Sequence, residues 1–203
     1  MKSNNKGTLL SKPSRTHDQL IKYVLNKTKT TINYTPLEIC QIVQYYWKYG
    51  IRVGIDPVIA VVQMLHETGN LTSWWSMRPR RNPAGLGVNG RKIYNQGQKD
   101  LLNGLDVEVW HYNEVNSLWE HGHVFSSWNQ AVRAHIGHLL CYALEDSDMN
   151  KQQRYISQCS PRRKKMPSIY RGCARVITDL NGRWAVPGKN YGFSILTILN
   201  EIR

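Results

Sequence analysis

Apolar residues recur at helical spacing after a clear helix start near residue 35. Thr35, Pro36 and Glu38 form an N-cap, a proline at the first helical position and the glutamate of a capping box. The pattern predicts an amphipathic helix that begins at Pro36 and ends at Gly50 or Gly54. Its apolar face would consist of Ile39, Ile42, Val43, Tyr46 and Tyr49.

A second helix is predicted immediately afterwards, and it is apolar on almost every face. Asp56 is a suitable N-cap and Pro57 occupies the first helical position. The apolar pattern continues to residue 68, and Gly69 is a natural stop. Because a helix that is hydrophobic all round needs burial on all sides, we expect residues 57–68 to form the centre of the domain.

The remaining pattern indicates a small sheet and further helices. Residues 107–112 and 119–125 are predicted to pair as a β-hairpin. Ser126 or Ser127 would cap a long helix with one apolar face, and a last helix is predicted over 191–202. The sequence therefore predicts an α+β domain that is predominantly α, with one small β-hairpin.

The first 34 residues differ from the rest of the chain. They are polar and basic, and we expect a flexible arm with a short helix near Asp18–Leu25, followed by one domain over 35–203. Leu9 and Leu10 are too short an apolar stretch for a signal peptide, so synthesis in the cytoplasm is expected. The longest apolar run, 58–62, is too short for a membrane span.

The net charge of the chain indicates which class of binding partner to expect. The 203 residues contain 27 Lys and Arg against 14 Asp and Glu, a formal net charge of +13. Such an excess favours an anionic partner: nucleic acid, anionic lipid or an acidic cell-wall polymer. The basic residues concentrate in 1–34 and 151–175, whereas half of the acidic residues lie in 101–150, in and after the predicted hairpin. The four cysteines form no CxxC pair, which favours free thiols.

Glu67 is the leading candidate for a catalytic residue. It lies near the C-terminal end of the apolar helix, where desolvation and the negative end of the helix dipole both raise a carboxyl pKa. A carboxylic acid that stays protonated near neutral pH is what a glycosidase uses to protonate a leaving oxygen. The alternative is a glutamate bound by backbone amides or by an arginine of the following loop.

A metal centre is not expected, and no cofactor is expected either. His66 and Glu67 begin an HExxH zinc motif, but Asn70 stands where the second histidine should be. Two other histidine pairs lack a ligand partner and are interpreted as polar core or surface residues: His121 with His123, and His135 with His138.

Three motifs together resemble a known family. Residues 54–73, with Gln63-Met64-Leu65-His66-Glu67-Thr68-Gly69-Asn70 at their centre, resemble the catalytic core of the bacterial and phage glucosaminidases of glycoside hydrolase family 73. These enzymes are peptidoglycan hydrolases of the lysozyme-like superfamily. The loop 82–87 is similar to a loop of that family that shapes the floor of the cleft, and 184–188 with Tyr191 is similar to its C-terminal aromatic motif. The resemblance covers about 36–203.

The resemblance implies a lysozyme-like fold and an endo-β-N-acetylglucosaminidase acting on peptidoglycan glycan strands at the cell wall. Glu67 corresponds to the general acid and Tyr191 to a tyrosine of the cleft. The second carboxylate corresponds most closely to Glu108, with Glu120 as the next choice. The candidate substrate-binding residues are Trp74, Trp75, Asn82, Gly85 and Trp184.

Other functions stay open at this point. Muramidase or lytic transglycosylase activity would use the same acid, and inversion or retention depends on the separation of the carboxyl groups. A catalytically inactive glycan-binding module is the main alternative. A nucleic-acid-binding protein using 1–34 and 151–175 ranks last, because the sequence carries no known nucleic-acid-binding signature. Anionic wall polymers are a further candidate partner.

Overall fold

The computed structural model describes residues 7–93 and 109–203. Within these ranges the chain forms six α-helices and three short antiparallel strands, which confirms the predicted α+β class with a predominance of helix. The elements are α1 (His17–Lys27), α2 (Pro36–Val53), α3 (Pro57–Thr68), β1 (Lys92–Ile93), β2 (Trp110–Asn113), β3 (Leu118–His121), α4 (Trp128–Ala143), α5 (Lys151–Ser157) and α6 (Tyr191–Glu201).

The capping residues place α2 and α3 where the sequence predicts them. Thr35 and Glu38 form the reciprocal capping box of α2, and Gly54 ends the helix with a left-handed φ of 81°. Asp56 caps α3 through the backbone N–H of Val58, and Gly69 ends it with a φ of 54°.

α3 lies at the centre of the molecule, as its apolar sequence predicts. Residues 57–65 are all buried, and the helix packs against α2 and α6. α4 packs against α2 and α5, and most of its residues are buried as well. The chain turns after Gly69, so the C-terminal end of α3 is the point where the central helix reaches the surface.

The sheet contains the predicted hairpin and one further strand. β2 and β3 pair antiparallel, with His111 opposite Glu120 and Tyr112 opposite Trp119. β1 adds to the free edge of β3, giving the order β1-β3-β2. Two residues are too few to produce a recognisable alternation, so β1 gives no sequence signal. The first predicted hairpin residues, 107–108, lie outside the described part of the chain.

The N-terminal segment is not a free arm from residue 7 onward, and the expected arm is corrected there. The predicted short helix exists as α1, but its Leu20 and Val24 are fully buried against the body, and α1 packs on α2. Leu9 is also fully buried, and its backbone bonds to Arg175 and Asp56. A few apolar residues spaced along a polar segment were enough to fix it to the core.

Three further features of the described residues concern α5, the cysteines and the length of the helices. α5 forms inside the basic segment 151–175, where Asn150 caps it through a capping box that the sequence analysis did not use. The four cysteines are free. Among the helices of 7–93 and 109–203, none combines the length and apolarity needed to cross a membrane.

Candidate active site

Glu67 borders a cavity of about 530 Å³ at the surface end of α3. Its walls come from four parts of the chain: the loop after α3, the helix α4, the basic segment and the loop before α6. The residues that line it include Glu67, Gly85, His138, Arg162, Arg183 and Trp184.

The surroundings of Glu67 favour its protonated form. The side chain is half-buried, and desolvation raises its pKa from 4.5 to about 7. Hydrogen bonds from Tyr191 and Trp184 oppose this rise by favouring the carboxylate. Among the described ion pairs, none joins Glu67 to an arginine, so the pairing with the following loop that the sequence left open is not observed. Arg80 of that loop donates to the Trp74 carbonyl instead.

A line of buried hydrogen bonds leads from Glu67 into the core, and we call it the buried network. Tyr191 Oη donates to Glu67 Oε1 at 2.5 Å, and Gln63 Nε2 donates to Tyr191 Oη at 2.6 Å. His135 Nε2 lies 3.0 Å from Gln63 Oε1, and Tyr46 Oη lies 2.8 Å from His135 Nδ1. Gln63, His135 and Tyr46 are completely buried.

The bonding pattern assigns a direction to the buried network. Burial lowers the pKa of His135 to about 3, so the ring is neutral and carries one proton. Because Gln63 Oε1 only accepts, His135 donates from Nε2 and accepts at Nδ1 from Tyr46. Every donor therefore points toward Glu67, an arrangement in which each hydrogen bond polarises the next. This role gives no signal in the sequence, because Tyr46, Gln63 and His135 are single polar groups within apolar helix faces.

The loop after α3 approaches the carboxyl group of Glu67, and Gly85 is the loop residue that lies beside it. This residue has a left-handed φ of 58°, and a Cβ placed on it would lie 3.5 Å from Glu67 Oε2. Gly85 thus lies beside the Glu67 carboxyl group, and its role in substrate binding stays a prediction.

Asn82 occupies a different position from the one predicted. Its side chain is completely buried, donates to the carbonyls of Leu86 and His123, and accepts from the N–H groups of Ala84 and Leu86. It does not line the cavity, and its hydrogen bonds hold the loop that carries Gly85.

The predicted tryptophans fall into two groups. Trp184 lines the cavity and packs on His138, with ring centroids 4.8 Å apart. Trp74 and Trp75 do not line it: Arg80 stacks over Trp74 with its guanidinium carbon 3.7 Å from the ring centroid, and Trp75 packs beside Gly122. A sugar-binding role for Trp74 and Trp75 stays a prediction.

The second carboxylate is not located. Glu108 lies outside the described residues. Glu120 lies on β3, where it accepts from Asn113 Nδ2 at 3.3 Å, and it does not line the cavity. Among the described residues that line the cavity, Glu67 is the one carboxyl group.

The buried histidines of α4 take part in hydrogen bonds within the protein. His135 and His138 are both buried, and each makes hydrogen bonds within the protein. Across 7–93 and 109–203, no group of three or more His, Cys, Asp or Glu side chains is arranged to hold a metal ion.

Comparison with known proteins gives a likeness in structure but none in sequence. No protein-family model matches the sequence, and no curated protein matches it. Among solved structures, the chain is similar to the catalytic domain of the autolysin Auto from Listeria monocytogenes. The likeness covers 94% of this chain and 96% of that chain, at 13% sequence identity and a TM-score of 0.46. At that level it does not tell which residues react, so the function has to be inferred from the cavity.

Proposed function

We propose that this protein is a peptidoglycan hydrolase that cleaves β-1,4 glycosidic bonds, with the specificity of an endo-β-N-acetylglucosaminidase. The observation that carries the proposal is the state of Glu67, a carboxyl group that is held protonated up to about pH 7 and opens onto a surface cavity. The motif resemblance around Glu67 and Tyr191 supports the choice of substrate.

In the proposed mechanism Glu67 donates its proton to the glycosidic oxygen as the bond to the anomeric carbon breaks. The Tyr191 hydroxyl donates to Oε1 and so leaves Oε2, on the side of Gly85, as the oxygen that carries the transferable proton. Donation from Tyr191 also stabilises the carboxylate formed after transfer. The oxocarbenium-like transition state needs a nucleophile on the opposite face. The candidates are water activated by Glu108 or Glu120, or the 2-acetamido group of the substrate.

The test measures new reducing ends and identifies the sugar at each end after incubation with purified peptidoglycan. We expect cleavage after N-acetylglucosamine, with a rate that falls as the pH rises through about 7 because Glu67 loses its proton there. Glu67→Gln should reduce the rate by at least about 100-fold, within the range attributed to general acid catalysis.

The matched control is Glu145→Gln, which changes an exposed glutamate that does not line the cavity. It should retain wild-type activity. Intact peptidoglycan with the wild-type protein, or equal rates with Glu67→Gln, would refute the proposed function. Glycan binding without any cleavage by the wild type would favour the binding-module alternative.

A further inference from the structure

The cavity beside Glu67 contains two arginines that no acidic side chain of the described residues neutralises. Arg162 and Arg183 both line it, and among the described residues neither guanidinium pairs with a carboxylate. Arg183 Nη1 donates to the backbone carbonyl of Asp179 at 2.6 Å, which fixes the side chain without neutralising it. The carboxylate of Asp179 is turned elsewhere, to the N–H groups of Arg175 and Val176.

Neighbouring arginines of the same segment do find acidic partners. Arg163 and Arg171 both bind the carboxylate of Asp146, at 2.9 Å and 3.1 Å. Arg162 is next to Arg163 in sequence, yet its side chain lines the cavity with Glu67. Asp146 thus neutralises Arg163 and Arg171, whereas the charges of the two cavity arginines stay available to a ligand.

The other ionisable groups of the cavity do not offset this charge. His138 is neutral because burial, together with the charge of Arg162, lowers its pKa to about 3. Glu67 carries little negative charge below about pH 7. The cavity is therefore cationic beside the catalytic carboxyl group.

We propose that Arg162 and Arg183 form a carboxylate-binding subsite, which selects glycans whose sugars carry acidic substituents over uncharged glycans of the same length. A guanidinium binds a carboxylate through two parallel N–H···O bonds, which gives both attraction and orientation. The inference rests on the proposed function in taking a glycan as the ligand. It adds which part of that glycan the cavity would recognise. That part is a carboxylate on the lactyl or peptide substituent.

The experiment measures binding by calorimetry, so that it does not depend on turnover. The Glu67→Gln protein is titrated with soluble peptidoglycan fragments and with the same fragments after their carboxylates have been amidated. An N-acetylglucosamine oligomer of equal length is the uncharged reference. We expect the carboxylate form to bind at least about ten-fold more tightly than the amidated form, since a hydrogen bond between charged groups is worth that much.

Arginine variants test whether the preference for carboxylate fragments comes from the cavity. Adding Arg162→Gln or Arg183→Gln to the Glu67→Gln protein should reduce binding of the carboxylate form about ten-fold and leave binding of the amidated form within two-fold. Lys151→Gln removes one positive charge from an exposed site away from the cavity and should change neither.

Equal affinity for the carboxylate and amidated fragments would overturn the subsite, as would equal losses on both ligands in the arginine variants. These results are independent of catalysis. Selective binding together with no hydrolysis by the wild type would refute the proposed hydrolase and leave the subsite standing.

Discussion

At the residue scale, Glu67 shows how one position in a helix sets the chemistry of a side chain. The same carboxyl group on an exposed turn would lose its proton near pH 4.5, whereas burial raises its pKa to about 7. Tyr191 and Trp184 reduce the shift but do not reverse it. The residue is buried enough to keep its proton and still borders the cavity, which is the combination a general acid requires.

This raised pKa has a consequence for stability that does not involve substrate. Between pH 4.5 and about 7 the folded protein holds a proton that the unfolded chain has released, so the free energy of unfolding falls as the pH rises through this window. At about 1.4 kcal/mol per pKa unit, the loss reaches up to about 3 kcal/mol.

Glu67→Gln should remove this loss. Glutamine keeps the size of the protonated acid and can accept from Tyr191, so the variant and the wild type should be similarly stable at pH 4. At pH 8 the variant should be more stable by about 2–3 kcal/mol. Urea unfolding at the two pH values measures the difference, and Glu145→Gln is the control. A difference that does not change with pH would show that Glu67 titrates normally.

At the element scale, the buried network ties together the four helices around the site. Tyr46 belongs to α2, Gln63 to α3, His135 to α4 and Tyr191 to α6. Each helix contributes one polar group to the network, and each group is hydrogen-bonded to the next. The network therefore fixes the relative positions of these helices and the orientation of Glu67 at its end.

Tyr46→Phe tests the far end of the buried network. It removes one hydroxyl and leaves His135 Nδ1 buried without a donor, which should destabilise the fold by about 1–3 kcal/mol. Tyr49→Phe is the matched control on the same helix, because its hydroxyl bonds Asn129 in a partly buried position. That change should cost less than about 1 kcal/mol.

Urea unfolding measures both tyrosine variants. Loss of the first hydroxyl also removes the donor that polarises the rest of the buried network, so Tyr46→Phe, unlike Tyr49→Phe, should move the pH dependence of activity. Equal costs and unchanged pH profiles for the two variants would refute a connected network.

The sequence allowed the elements to be predicted better than the site. Local capping chemistry placed α2 and α3, and the position of Glu67 at the end of an apolar helix marked it as the candidate acid. The buried network could not be inferred, because Gln63 and His135 are 72 residues apart and their meeting depends on tertiary packing. Asn82 was assigned to substrate from its loop, but whether an amide binds a ligand or the backbone depends on burial, which local sequence does not reveal.

At the scale of the whole molecule, the net charge of +13 divides into parts with different roles. Within the cluster 162–165, Arg162 lines the cavity and Arg163 pairs with Asp146. The side chains of Lys164 and Lys165 lie at the surface of the same segment. The segment therefore supplies one arginine to the cavity and two lysines to the outside.

We expect these two lysines to hold the protein on the anionic cell wall without taking part in cleavage. Lys164→Gln combined with Lys165→Gln should weaken sedimentation with purified whole walls several-fold at low salt. The effect should shrink at 0.5 M salt, where screening shortens the reach of surface charges to a few ångströms. Cleavage of short soluble fragments should stay at the wild-type rate, because neither lysine lines the cavity.

The control removes the same charge from another surface, with Lys48→Gln and Arg52→Gln on the exposed side of α2. If attachment depended only on net charge, both double variants would lose it equally, because each lowers the formal charge by two. A selective loss with the 164 and 165 pair would instead assign attachment to the basic segment beside the cavity. That arrangement would hold the open side of the cavity against the polymer that the enzyme is proposed to cleave.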